Sequence, residues 1–139
     1  MRRARFNNYY KNMKTILVDA VNTFIIKDQG IFEEMHKLLE TYPNRKIILT
    51  NATEDKYPEY WLDRVPYEVF TLSHNPEKTD PNYYKKMLEH FALKNDEVVY
   101  FENNAESVES ARSVGINTLH YDKVKRDLVG LKDFLDGNL

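Results

Sequence analysis

At 139 residues the chain is long enough for one domain with a core that needs no disulfide or structural metal. Its 20 basic and 22 acidic residues leave a net charge of -2, which excludes the strong positive field of a protein that binds nucleic acid or a membrane surface. Cysteine is absent and no apolar run reaches the roughly 20 residues that span a bilayer, so we expect a cytoplasmic protein without a disulfide framework.

The first twelve residues, MRRARFNNYYKN, are basic, aromatic and polar, and they show no periodicity. No signal-peptide core follows them, so a secreted precursor is not expected. We predict that residues 1–12 form a poorly ordered tail and that residues 13–139 form the domain.

Five short apolar runs predict five strands. They lie at residues 15–19, 46–50, 67–72, 97–101 and 117–121. The runs are mostly continuous rather than alternating in polarity, which is typical of strands that helices cover on both faces.

Helical patterns separate these runs. The first has its apolar stripe at Ile31, Met35, Leu38 and Leu39. Between Thr53 and Arg64 the sequence allows either a short helix around Pro58 or an ordered loop.

The later helices carry clearer boundary signals. Asp80-Pro81 predicts the start of a helix, because an acidic N-cap followed by proline is a strong initiation signal. The next helix is expected to end near Gly115. The last helix is predicted to open at Asp122 and to close at Gly137, and its apolar stripe comprises Val124, Leu128, Leu131 and Leu135.

Alternation of strands and helices predicts a three-layer α/β/α sandwich with a five-stranded parallel, Rossmann-like sheet. In such sheets ligands bind beyond the carboxyl ends of the strands. The polar residues at those ends, which we therefore expect on one rim, are Asp19, Thr50, Asn51, Lys78, Glu102 and Asn103. A carboxylate nucleophile, phosphate-binding hydroxyl and amide groups, a lysine and an acid suited to magnesium are the components of phosphoryl transfer.

In this order the motifs resemble those of the haloacid dehalogenase (HAD) superfamily of phosphatases and hydrolases. VDAVNTF resembles its first motif, Asp-x-Asp-x-Thr, at Asp19 and Thr23, with Val21 in place of the second acid. IILTNA resembles the second motif at Thr50, and EKTDPNYY resembles the third at Lys78. VVYFENNAESVESARSVGI resembles the fourth, with Glu102 and Asn103 in place of two aspartates.

The resemblance implies a role for each of these residues. Asp19 is the expected nucleophile, and Thr50, Asn51 and Lys78 are expected to bind the phosphate. The expected magnesium ligands are Asp19, the backbone carbonyl of Val21, Glu102 and Asn103, and we predict weak binding because magnesium demands near-ideal octahedral geometry. Val21 removes the general acid and base, which contributes roughly 100- to 10,000-fold to rate.

The spacing between motifs leaves little room for a cap domain, so the resemblance implies an open site. We expect a magnesium-dependent phosphatase with weak or specialised activity on a phosphorylated small molecule or phosphoprotein, and an oligomer fits this class. The alternative is an inactive pseudophosphatase that binds a phosphorylated ligand or a protein partner. A phospho-accepting receiver module fits less well, because the paired acids that it needs near the first strand are absent.

Overall fold

A computed structural model describes residues 13–139, so the predicted tail at residues 1–12 lies outside the described residues. The strands are β1 (Thr15–Asp19), β2 (Ile25–Ile26), β3 (Gly30–Ile31), β4 (Lys46–Thr50), β5 (Glu68–Thr71), β6 (Val98–Glu102) and β7 (Asn117–His120). The helices are α1 (Glu33–Glu40), α2 (Pro81–Phe91), α3 (Ala105–Ser113) and α4 (Leu128–Asn138), with 3-10 helices at Glu54–Tyr60 and Asn95–Glu97.

The main sheet has the order β5-β4-β1-β6-β7, and every neighbouring pair is parallel. All five residues of β1 and of β6 are buried, as expected for central strands between two helical layers. The predicted three-layer α/β/α architecture is therefore confirmed. The strands at 15–19 and 46–50 have the predicted bounds, and the other three differ by one residue at one or both ends.

Alternate residues of β1 divide the core between the two faces of the sheet. Ile16 and Val18 pack in a cluster that also contains residues of α1 and α4, such as Met35 and Leu131. Leu17 points to the opposite face, where a second cluster contains residues of α2 and α3. This period of two is the ordinary geometry of a strand.

A small hairpin follows β1 and was not predicted. Its strands, β2 and β3, pair antiparallel, and they place Ile31 in a strand rather than on the first helix. Gly30 has a φ of +112°, and a Cβ there would lie 3.3 Å from the Trp61 indole nitrogen, so glycine allows Trp61 to pack on the hairpin. Between Thr53 and Arg64, where the sequence allowed either a short helix or a loop, the chain forms a 3-10 helix around Pro58.

The prediction that Asp122 opens the last helix is wrong. Its carboxylate instead accepts hydrogen bonds from the backbone of Val124 and Lys125, both at 3.0 Å, and so caps a separate turn. Arg126 then has a left-handed backbone (φ 49°), and α4 begins after Asp127, which accepts from Gly130 N at 2.9 Å. Val124 consequently lies outside the helix with 86% of its surface exposed, and α4 continues past Gly137.

No cap domain is evident within residues 13–139. None of the helices in this range has the length and apolarity required to cross a membrane.

The start of α4 can be tested by a pair of substitutions. Leu131→Ala removes a side chain that is 0% exposed, so it should lower the free energy of unfolding by about 2–5 kcal/mol. Val124→Ala should change it by less than about 0.5 kcal/mol, because Val124 is solvated. Urea unfolding of both variants measures this, and a comparable loss in the two would place Val124 on a buried stripe.

Candidate active site

The carboxyl ends of three central strands bring the predicted site residues together. Asp19, Thr50 and Glu102 are the last residues of β1, β4 and β6, and Lys78 reaches them from the loop between β5 and α2. All four are buried and line the same cleft of about 510 Å3. The parallel sheet explains this convergence, since all of its strands end at one edge.

Lys78 bridges two carboxylates. Its ammonium nitrogen lies 2.5 Å from Asp19 Oδ1 and 2.8 Å from Glu102 Oε1, and its side chain is only 8% exposed. A buried charge is tolerated when it is paired and hydrogen-bonded, and here one cation serves two acids. The balance leaves one excess negative charge that neighbouring dipoles must stabilise.

Most of the hydrogen-bond donors that stabilise this charge contact Asp19. Its Oδ2 accepts hydrogen bonds from the Thr23 hydroxyl at 2.8 Å, from the Asn103 backbone at 3.2 Å and from Asn103 Nδ2 at 2.5 Å. Asn22 supports the turn by adopting φ 66°, a left-handed conformation that asparagine tolerates better than most residues. Asp19 is thus surrounded by donors that favour its charged form.

Unequal surroundings separate the pKa values of the two acids. Burial alone would raise the pKa of Asp19, but the charge of Lys78 and the hydrogen bonds hold it below its ordinary value. For Glu102, burial and the Asp19 charge raise the pKa to about 7, although Lys78 opposes them. The two acids together raise the pKa of Lys78 against the effect of its burial, so it stays protonated.

Thr50 and Asn51 line the same cleft as Lys78. Asn51 Oδ1 accepts from the Lys78 backbone at 2.7 Å, which fixes the loop that carries the lysine. Thr50 Oγ1 accepts from Ala52 N at 3.1 Å, and no acceptor within residues 13–139 takes its own proton. The Thr50 hydroxyl therefore has a proton to donate, and both residues line the cleft.

The predicted magnesium ligands are close together, but donors already occupy their oxygens. Asn103 Nδ2 contacts Asp19 Oδ2, and it lies 3.1 Å from the Val21 carbonyl oxygen. The Glu102 carboxylate accepts from Lys78, from the Tyr100 hydroxyl and from Asn104 N. In this arrangement the donor set does not fit a divalent cation, and the described part of the chain has no cluster of three metal-binding side chains of the His, Cys, Asp or Glu type.

The sequence did not identify three residues that support this site. Tyr100 donates to Glu102 at 2.6 Å, Asn104 caps α3 through Ser107 N at 3.0 Å, and His120 Nε2 donates to the Asn103 carbonyl at 2.9 Å. Of the three, only Tyr100 could have been identified from the sequence. It lies two residues before Glu102 on the same strand, so the two side chains share a face.

The outer wall of the cleft is polar and open to solvent. It includes the exposed residues Asn22, Lys27, Lys56, His74 and Glu77. His74 Nδ1 lies 3.4 Å from Glu77 Oε2, so this pair stands at the rim rather than in the buried network.

Removing the bridging cation should destabilise the fold. Lys78→Met leaves Asp19 and Glu102 buried without a counter-ion, and we expect a loss of about 3–5 kcal/mol in the free energy of unfolding at neutral pH. Lys27→Met is the control, because Lys27 is exposed at the rim and should change stability by less than about 0.5 kcal/mol. Equal stability of the two variants in chemical denaturation would contradict the bridge.

Glu102 should make stability depend on pH. Its pKa is raised from 4.5 to about 7 on folding, so between these values the folded chain holds a proton that the unfolded chain releases. The free energy of unfolding should therefore fall as pH rises through this window, and Glu102→Gln should remove that component. Subtracting the two profiles, measured by denaturation from pH 5 to 8, cancels the other titrating groups; a flat difference would contradict this assignment.

Comparison with known proteins gives structural matches only: no protein-family model and no curated protein matches the sequence. An uncharacterised protein from Corynebacterium glutamicum superposes with a TM-score of 0.63 at 18% identity, covering 90% of this chain and 96% of that one. A HAD family enzyme from Bacteroides thetaiotaomicron, in complex with magnesium and inorganic phosphate, gives 0.62 at 12% identity over 81% and 96%. A HAD-superfamily hydrolase from Geobacter sulfurreducens gives 0.59 at 13% identity over 76% and 85%. The chain therefore has the HAD-like fold.

Proposed function

We propose that the protein is a phosphohydrolase of the HAD type with slow turnover. The observation that supports this most directly is the ionised carboxylate of Asp19 at the cleft floor, paired with Lys78 and next to Thr50. A charged carboxylate beside a cation and a free hydroxyl donor is suited to attack on a phosphoryl group.

The reaction would proceed in two displacements. An Asp19 oxygen attacks phosphorus, the new O–P bond forms, and the bond to the leaving oxygen breaks with its electron pair. Lys78 and the Thr50 hydroxyl stabilise the negative charge on the phosphoryl oxygens. Water then attacks phosphorus and loses a proton to bulk solvent, while the bond between phosphorus and the Asp19 oxygen breaks with its electron pair; this releases inorganic phosphate and restores the Asp19 carboxylate.

Val21 determines which substrates suit this chemistry. It lines the cleft where the HAD motif has an acid, and a valine side chain cannot protonate the leaving oxygen or activate water. Loss of a general acid costs roughly 100- to 10,000-fold for a poor leaving group. The leaving groups of aryl and acyl phosphates, an aryl oxide and a carboxylate, depart without protonation. These phosphates are therefore the substrate class that this site is best suited to.

Magnesium dependence and a phosphorylated partner are part of this proposal. The Bacteroides enzyme with a similar fold contains magnesium and phosphate, which supports the predicted cofactor, whereas the Asn103 amide must move before a cation can reach Asp19 and Val21. The open cleft suits a phosphorylated small molecule or a phosphorylated protein side chain.

A second candidate function is binding without turnover. Both oxygens of Asp19 are engaged, Oδ1 by Lys78 and Oδ2 by Thr23 and Asn103, which weakens the carboxylate as a nucleophile. A pseudophosphatase would use the same cleft to hold a phosphorylated ligand or a protein partner.

Hydrolysis of aryl phosphate and acetyl phosphate with magnesium separates the two functions. We expect slow turnover in the natural protein and none in Asp19→Asn, because the amide cannot form the aspartyl phosphate. Val21→Asp should increase the rate by roughly 100-fold, the lower end of the range for a general acid or base, because these leaving groups need no proton and only the base that activates water is gained. Val21→Asn is the matched control, as it has the shape of aspartate without its proton chemistry.

Activity of the natural protein no greater than that of Asp19→Asn would reject the enzyme and favour the pseudophosphatase. An equal gain in Val21→Asp and Val21→Asn would show that polarity, rather than proton transfer, limits the rate.

A further inference from the structure

We propose that the carboxamide of Asn103 takes the place of a divalent cation between Asp19 and Val21 and holds the site together without metal. In this role Asn103 is a positioning residue that competes with a cation, not a ligand that recruits one. The inference concerns the resting site, so it holds whether or not the protein turns over a substrate.

Three oxygens converge on the side-chain nitrogen of Asn103. They are Asp19 Oδ2 at 2.5 Å, the Val21 carbonyl oxygen at 3.1 Å and Thr23 Oγ1 at 3.1 Å. Oxygens from a carboxylate, a carbonyl and a hydroxyl around one centre resemble the ligand set of a hard cation. Here the centre is an NH2 group with two protons and a partial positive charge.

The partners decide which end of the carboxamide faces this centre. The Val21 carbonyl has no proton to donate, and the Asp19 carboxylate, which is paired with the Lys78 ammonium, is also an acceptor. Turning the carboxamide by half a turn would point its oxygen at both, and the repulsion would replace two hydrogen bonds. The amide nitrogen is therefore the end that fits.

Neighbouring contacts fix the backbone of Asn103 in this position. Its N–H donates to Asp19 Oδ2 at 3.2 Å, and its carbonyl accepts from His120 Nε2 at 2.9 Å. The next residue, Asn104, is the N-cap of α3 and accepts from Ser107 N. These contacts hold the Asn103 side chain toward Asp19 and the Val21 carbonyl.

This arrangement predicts an effect of truncation opposite to that of a metal ligand. A cation that binds Asp19 and Val21 must first displace the amide and its hydrogen bonds. Removing the carboxamide frees those oxygens, so magnesium affinity should stay the same or rise. Removing a true ligand would instead lower the affinity.

Calorimetric titration of the full chain with magnesium chloride, together with thermal unfolding in EDTA, tests the inference. We expect Asn103→Ala to bind magnesium at least as tightly as the natural protein, and to unfold several degrees lower in EDTA because Asp19 has lost a donor. Asn103→Asp should lose more in EDTA, since two acids then face each other, and should bind magnesium about tenfold or more tightly. Asn117→Ala, an exposed change on β7 away from the cleft, is the control.

A fall of about tenfold or more in magnesium affinity on Asn103→Ala would make Asn103 a ligand and overturn the proposal. Should neither protein bind magnesium measurably, the stability of Asn103→Asp in EDTA decides: a marked loss supports the proposal, and an unchanged melting temperature overturns it. Neither readout uses phosphatase turnover, so an inactive protein leaves the outcome intact.

Discussion

The ammonium of Lys78 between Asp19 and Glu102 is the interaction on which the site depends. It joins the ends of two central strands to the loop that follows β5, and all three charges are buried. Because breaking a buried pair leaves an uncompensated charge, the position of the loop and of both strand ends is fixed together. Asn51, which holds the Lys78 backbone, extends this constraint to β4.

One lysine cannot neutralise two carboxylates, and the distribution of dipoles decides which acid remains charged. Asp19 receives the shorter contact to Lys78 and further bonds from Thr23 and Asn103, whereas Glu102 is exposed to the field of Asp19. The opposite directions of their pKa values follow from this asymmetry. The acid at the end of β1 is therefore kept ionised, and the acid on β6 becomes the group that responds to neutral pH.

Sequence patterns predicted the architecture and the residues of the rim, because continuous apolar strands and their polar ends are local signals. They failed where geometry is not local. Two-residue strands have no measurable period, so the hairpin after β1 was missed. Asp122 caps a turn in the same way as it would cap a helix, so the start of the last helix was placed too early. The orientation of the Asn103 carboxamide depends on Val21 and Asp19, which are more than eighty residues away in sequence.

Val21 and Asn103 both affect the number of negative charges that are buried at the site. The HAD pattern at these positions would add two acids to Asp19 and Glu102 against a single lysine, and such an excess of negative charge requires a divalent counter-ion. With valine and asparagine there, Lys78 and the surrounding hydrogen-bond donors suffice. Valine at 21, which cannot transfer a proton, and the amide of Asn103 thus act on one electrostatic balance. An acid restored at only one of the two positions should raise the affinity of the site for a divalent cation, without by itself restoring the full rate of phosphoryl transfer.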